Sequence, residues 1–113
     1  MSAYELPAIA VKADAAKNRL DLLSALATEG LGAVLTHGAN KYGAHNWRKG
    51  MGWSRLIAAA KRHLSAFEQG HDIDPDSSLP HIDHLAACIH FLSEYQKTAN
   101  GTDDRWVAPG VRR

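Results

Sequence analysis

Apolar residues in this chain recur every three or four positions in three separate stretches, and no segment alternates apolar with polar over a strand's length. An α-helix turns once every 3.6 residues, so this spacing builds helices and leaves nothing to form a sheet-based core. The first stretch carries Leu22, Leu23, Leu26, Val34 and Leu35, with Asp21 as its expected N-cap and an end between Gly38 and Gly43. Gly30 and Gly32 weaken its middle and predict a kink or a close approach by another helix or a ligand. The second stretch, capped by Ser54, carries Leu56, Ile57, Ala60, Leu64 and Phe67 and is stopped by Gly70. The third carries Leu79, Ile82, Leu85, Ala86, Ile89 and Leu92 and runs to about Gln96. Pro80 is expected in its first turn, and Asp76, Ser77 or Ser78 as its cap.

The expected fold is therefore all-α: a single domain over 1–113, a small bundle of three main helices with an N-terminal arm over 1–18 and a polar, breaker-rich C-terminal tail. Trp106 is the residue expected to anchor that tail to the body or to a second subunit. Three helices of this length bury little alone, so the core is expected to be completed in a homo-oligomer, a dimer or tetramer.

Charge narrows the choice of partner. Thirteen Lys and Arg against 12 Asp and Glu leave a net charge of +1, which gives no global reason to bind a nucleic-acid polymer. A single cysteine, Cys88, excludes an intrachain disulfide framework and a Cys-rich zinc pattern. The N-terminus shows no secretory signal and no apolar run is long enough to span a bilayer, so no membrane partner is expected and a cytoplasmic setting is. Seven histidines in 113 residues are a surplus of the commonest metal ligand.

Two clusters carry chemistry. In GHDIDPDSSLPHIDHL, residues 70–85, three aspartates precede His81 and His84, which share a helix face with Cys88, Phe91 and Tyr95. Carboxylates and imidazoles hold divalent ions, although turn-forming and capping roles explain the same aspartates. His63 on the second helix flanks its apolar stripe and can join them. In NKYGAHNWRKGMGWSR, residues 40–55, Lys41, Arg48, Lys49 and Arg55 are interleaved with Tyr42, Trp47 and Trp53. Cations neutralise phosphates and aromatic planes stack on bases. A weaker charged lead-in contains Lys12, Asp14, Lys17, Arg19 and Asp21.

Taken together, KADAAKNRLDLL, LTHGANKYGAHNWRKGMGWSRL and AAKRHLSAFEQGHDIDPDSSLPHIDHLAACIHFL resemble the phage and bacterial dATP/dGTP diphosphohydrolase N-terminal family, grouped with the MazG-like all-α nucleotide pyrophosphohydrolases, over residues 12–96. The resemblance implies hydrolysis of a purine deoxynucleoside triphosphate, dGTP or dATP, to the monophosphate and pyrophosphate, with Mg²⁺ or Mn²⁺ as cofactor. It implies metal ligands among Glu29, Asp72, Asp74, Asp76, His81 and His84, and catalytic roles for His63, Asp76 and His81. It implies substrate contacts from Lys17, Arg19, Lys41, Tyr42, Asn46, Trp47, Arg48, Arg55 and Arg62. The chain departs from the MazG pattern of an ExxE helix followed by an ExxD helix. Its third helix offers HxxH around Asp83, Glu29 is the only acid in the body of its first helix, and His71 stands where Glu is expected. Two alternatives follow: a His-Asp metal phosphohydrolase built on His71–Asp72, and a nucleotide-binding or helical interaction module with reduced catalysis.

Overall fold

The computed structural model describes residues 8–111; the first seven residues of the arm lie outside it. Three helices dominate: α1 (Ala25–Tyr42), α2 (Trp53–Glu68) and α3 (His81–Thr98). Helix α3 is central, packing most extensively on α2 and also on α1. The expected all-α architecture holds, with one addition. The Asp-rich loop contains a two-stranded antiparallel hairpin, β1 (Ile73–Asp74) with β2 (Leu79–Pro80), pairing Ile73 with Pro80 and Asp74 with Leu79. Pairs of residues give too short a run for an alternation pattern to register.

The helix ends differ from expectation. Ser24, not Asp21, caps α1: its side chain accepts from the Ala27 N–H at 3.1 Å, while Asp21 sits in a 3-10 turn and pairs with Arg19. Helix α1 runs unbroken through Gly30 and Gly32; Asp83 of α3 occupies the space a Cβ on Gly30 would need, and packing on α3 offsets the weak propensity. Helix α2 begins one residue before Ser54, which does not cap it. Asp104 caps it from the tail instead, accepting from the Ser54 N–H at 2.8 Å and the Ser54 hydroxyl at 2.6 Å. A Cβ on Gly52 would lie 2.8 Å from that carboxylate, so the glycine is what lets the tail in. None of Asp76, Ser77 or Ser78 caps α3 through its side chain, and Pro80 precedes its first turn. The His81 N–H donates instead to the Asp72 carbonyl. Gly70, at φ +89°, ends α2 as expected.

The core is small and aromatic: Trp53, Leu56 and Tyr95 are buried, with Trp47, Met51, Phe91 and Leu92 packed against them. Tyr95 is fully buried and its hydroxyl donates to the Trp47 carbonyl. On α3 the inward face is Ala87, Cys88 and Tyr95, whereas Ile82 and Ile89 of the expected aliphatic stripe are exposed. Leu22, Leu23 and Leu26 of the first stripe are exposed as well, as are Leu64 and Phe67 of the second. Trp106 is 84% exposed, so it does not anchor the tail to this subunit. That task falls to Asn100, whose amide donates to the Arg48 carbonyl and whose own carbonyl accepts from the Trp53 indole, and to Asp104.

Candidate active-site cleft

The turn that closes the hairpin aims Asp74. One carboxylate oxygen, Oδ1, accepts from the Asp76 N–H at 2.8 Å, and the Asp74 carbonyl accepts from the N–H of Ser78. This Asx turn leaves Oδ2 facing the helices. It lies 3.9 Å from Nδ1 of His63 on α2 and 3.8 Å from Nε2 of His84 on α3. His63 stacks flat on His84, with centroids 4.7 Å apart and planes 8° from parallel. Its Nδ1 is 2.9 Å from Nδ1 of His81, and the Ser77 hydroxyl meets Nε2 of His84 at 2.6 Å. Three imidazoles and a carboxylate, drawn from two helices and a hairpin, thus adjoin one another.

The surroundings of His63 and His84 disfavour their charged forms. Burial, reinforced by the neighbouring His84, pulls His63 below the ordinary imidazole value, with Asp74 opposing. Burial does the same to His84; Asp74 resists, and His37 and His81 add to the lowering. Neutral rings keep a lone pair for a metal or a proton. Within one ligand atom per residue, His63, Asp74 and His81 lie inside 4.8 Å of one another, a grouping suited to an ion.

A cleft of about 930 Å³ opens beside this cluster. Its walls carry His63, Asp74, Asp76, Ser77 and His84 on one side and Lys41, Tyr42, Asn46, Trp47, Arg48 and Arg55 on the other. The two sequence clusters, separated along the chain, therefore line one cavity. A family profile described as dATP/dGTP diphosphohydrolase, N-terminal, matches residues 8–105. The chain belongs to the dATP/dGTP diphosphohydrolase N-terminal family. A dATP/dGTP diphosphohydrolase of Salmonella phage PMBT28 is 37% identical over 105 residues, which cover 90% of this chain and 36% of that protein. The chain thus spans about a third of the relative's length. No solved structure matches it.

In this family member the remaining candidates fall into three groups. Some line the cleft but are already engaged: Arg48 pairs with Glu94 at 3.1 Å, contacts His45 and covers the Trp47 ring, while Trp47 stacks on Phe91 at 4.6 Å. The Arg48 hydrogen bond holds Glu94 below the usual carboxylate range. Others line it freely presented, notably Lys41 above the exposed Tyr42 ring and Arg55 on α2. A third group does not line it. Glu29 is exposed on α1, Arg62 is exposed beside His63, and Asp72 contributes its carbonyl to the start of α3. Lys17 and Arg19 sit in a separate exposed hollow of about 560 Å³ with Lys12, Asp14 and Asp21. His71 and Asp72 are both exposed and line neither cavity.

Sequence reasoning passed over His37 and His90, which line the cleft, and gave Ser77 only a capping role. The histidine surplus was their one signal. Cys88 is buried and its thiol is pushed up by that burial, so it packs rather than reacts.

Proposed function

We propose that this domain hydrolyses purine deoxynucleoside triphosphates, dATP or dGTP, to the monophosphate and pyrophosphate, using a divalent ion at the His63–Asp74–His81 centre. The observation that carries the reading is that one cleft is lined by His63, Asp74 and His84 of the imidazole–carboxylate cluster, with His81 directly behind them, and by the Lys41–Arg55 region. A triphosphate needs charge neutralised along its length and a reacting end presented to a water. The name of the phage relative supplies the substrate class.

The parts divide by chemistry. His63, Asp74, His81 and His84 would hold the ion, which would neutralise phosphate charge and acidify a water. Lys41 and Arg55 face the phosphates as point and forked cations. Tyr42, 62% exposed, offers a ring to the base. Asp76 is exposed on the cleft wall beside the ion centre and is the carboxylate placed to accept the water's proton. Incubating the protein with each deoxynucleoside triphosphate and Mn²⁺ or Mg²⁺ tests the reading. Pyrophosphate and monophosphate support it; orthophosphate or triphosphate as product overturns it. Nucleotide binding without turnover would instead identify a binding module.

The domain is also proposed to act as a homo-oligomer. Its accessible surface is 9060 Å², whereas a compact 12.3 kDa monomer exposes about 6,100 Å². Its radius of gyration is 20.1 Å against about 13 Å for a compact chain of this length. An excess of roughly 3,000 Å² is of the size an obligate interface covers. The exposed side chains of Ile9, Val11, Leu20, Leu22, Leu23 and Leu26 supply apolar area for it.

A further inference from the structure

The resemblance to magnesium-dependent enzymes and the donor atoms in this cleft point to different ions. Mg²⁺ selects oxygen ligands in near-ideal octahedra and keeps much of its water. The cluster here offers one carboxylate against three imidazoles, His63, His81 and His84, and two further histidines, His37 and His90, line the same cleft. Asp76 adds a second carboxylate on the cleft wall, which still leaves imidazoles in the majority; Glu29 and Asp72 do not line the cleft, and Asp83 lies against Gly30 of α1.

The spacing is informative too. Two adjacent ligands each about 2.1 Å from a six-coordinate ion sit about 3.0 Å apart. The Nδ1 atoms of His63 and His81 face each other at 2.9 Å, and Asp74 Oδ2 lies 3.9 Å from the first of them. One ring donates its Nδ1 proton to the other; moving that proton to the donor ring's own Nε2 leaves both rings neutral, with two Nδ1 lone pairs facing each other. The Ser77 hydroxyl on His84 and the Asx turn on Asp74 hold the neighbouring donors in place.

Building on the proposed metal-dependent function, we propose that the His63–Asp74–His81 centre selects a first-row transition ion of the Mn²⁺-to-Zn²⁺ series over Mg²⁺, with His63 as a ligand rather than the general base. Imidazole nitrogen favours these ions increasingly toward the zinc end, whereas Mg²⁺ gains little from it.

The test needs no nucleotide. The 113-residue chain, stripped with a chelator, is titrated separately with Mn²⁺, Co²⁺, Zn²⁺ and Mg²⁺ by calorimetry, and the Co²⁺ form is read by its visible absorption. Transition ions are expected to bind at least about 100-fold more tightly than Mg²⁺, with Co²⁺ bands showing nitrogen ligation. His63→Gln and His81→Gln, checked for folding by circular dichroism, should each weaken binding at least about tenfold, and the exposed His71→Gln should not. Mg²⁺ binding of comparable strength, or unchanged Co²⁺ binding in folded His63→Gln and His81→Gln, overturns the inference. Hydrolysis that runs on Mg²⁺ without any transition-ion binding overturns it while sparing the functional reading. Tight transition-ion binding without hydrolysis sinks the functional reading and leaves the ion assignment standing.

Discussion

Asp83 of α3 lies so close to Gly30 of α1 that a methyl group on the glycine would sit 2.5 Å from its Oδ2 and 2.6 Å from its Cγ. Two residues further on, a methyl on Gly32 would meet nothing within 4 Å. The two glycines look alike in sequence and differ entirely in what surrounds them. Gly32→Ala is expected to stabilise by about 0.5–1 kcal/mol through helix propensity and lost unfolded-chain freedom. Gly30→Ala is expected to destabilise by about 1 kcal/mol or more, since it must push α3 or the carboxylate away. In an Asp83→Ala background the same Gly30→Ala change should become stabilising. Urea unfolding of the four variants reads the difference; a destabilising Gly32→Ala would refute the assignment of open space there.

The cap on α2 comes from Asp104, fifty residues away, and it titrates. Hydrogen bonds from the Ser54 hydroxyl and N–H lower its pKa, so the native state binds its proton less readily than the unfolded chain. A lowered carboxylate contributes stability that is fully present above the ordinary carboxylate value of about 3.9 and is lost as pH falls through the folded value. Asp104→Ala should therefore lower Tm at pH 7, and the gap from the parent protein should shrink as the pH approaches 3. A gap that is constant with pH would show that the carboxylate's charge is not what caps the helix.

Lys41 and Arg55 line the cleft and Arg62 does not, although all three carry the same charge. Lys41→Ala and Arg55→Ala are each expected to raise KM for the nucleotide about tenfold, the loss of one charge-assisted hydrogen bond. Arg62→Ala should leave KM within about twofold. Steady-state kinetics with dGTP and dATP decide it, and equal effects at Arg55 and Arg62 would mean that the substrate lies outside this cleft.

If exposed Leu20, Leu22, Leu23 and Leu26 are covered by another copy, light scattering after size exclusion should give a mass at least twice the 12.3 kDa of the chain. Leu22→Asp with Leu26→Asp should return it to the monomer without lowering helix content, because neither side chain is buried within its own subunit. A parent protein that elutes as a monomer at micromolar concentration would dispose of the oligomer.

Tyr95 supplies a stability check on the core. Removing its hydroxyl in Tyr95→Phe takes away one of two donors to the Trp47 carbonyl, which still accepts from the Gly50 N–H, at an expected cost of about 1 kcal/mol by denaturant unfolding.

Sequence alone was enough to place the three helices and the glycine stop after α2, because periodicity and breakers are local properties. It also identified the 40–55 and 70–85 clusters, since cations beside aromatics and aspartates before paired histidines are readable without coordinates. What it did not determine is which side of each helix faces in. Helix α3 carries two apolar faces, and the one holding Cys88 and Tyr95 is buried because Trp53 and Leu56 of α2 meet it there, leaving Ile82 and Ile89 outside. The same is true of the helix ends: Asp104 displaced the expected Ser54 cap, and a carbonyl of Asp72 served α3 in place of any side chain. The meeting of His63, Asp74 and His81 belongs to the tertiary structure as well, since it depends on how α2 and α3 pack and on a hairpin whose two-residue strands are too short to leave a pattern in the chain.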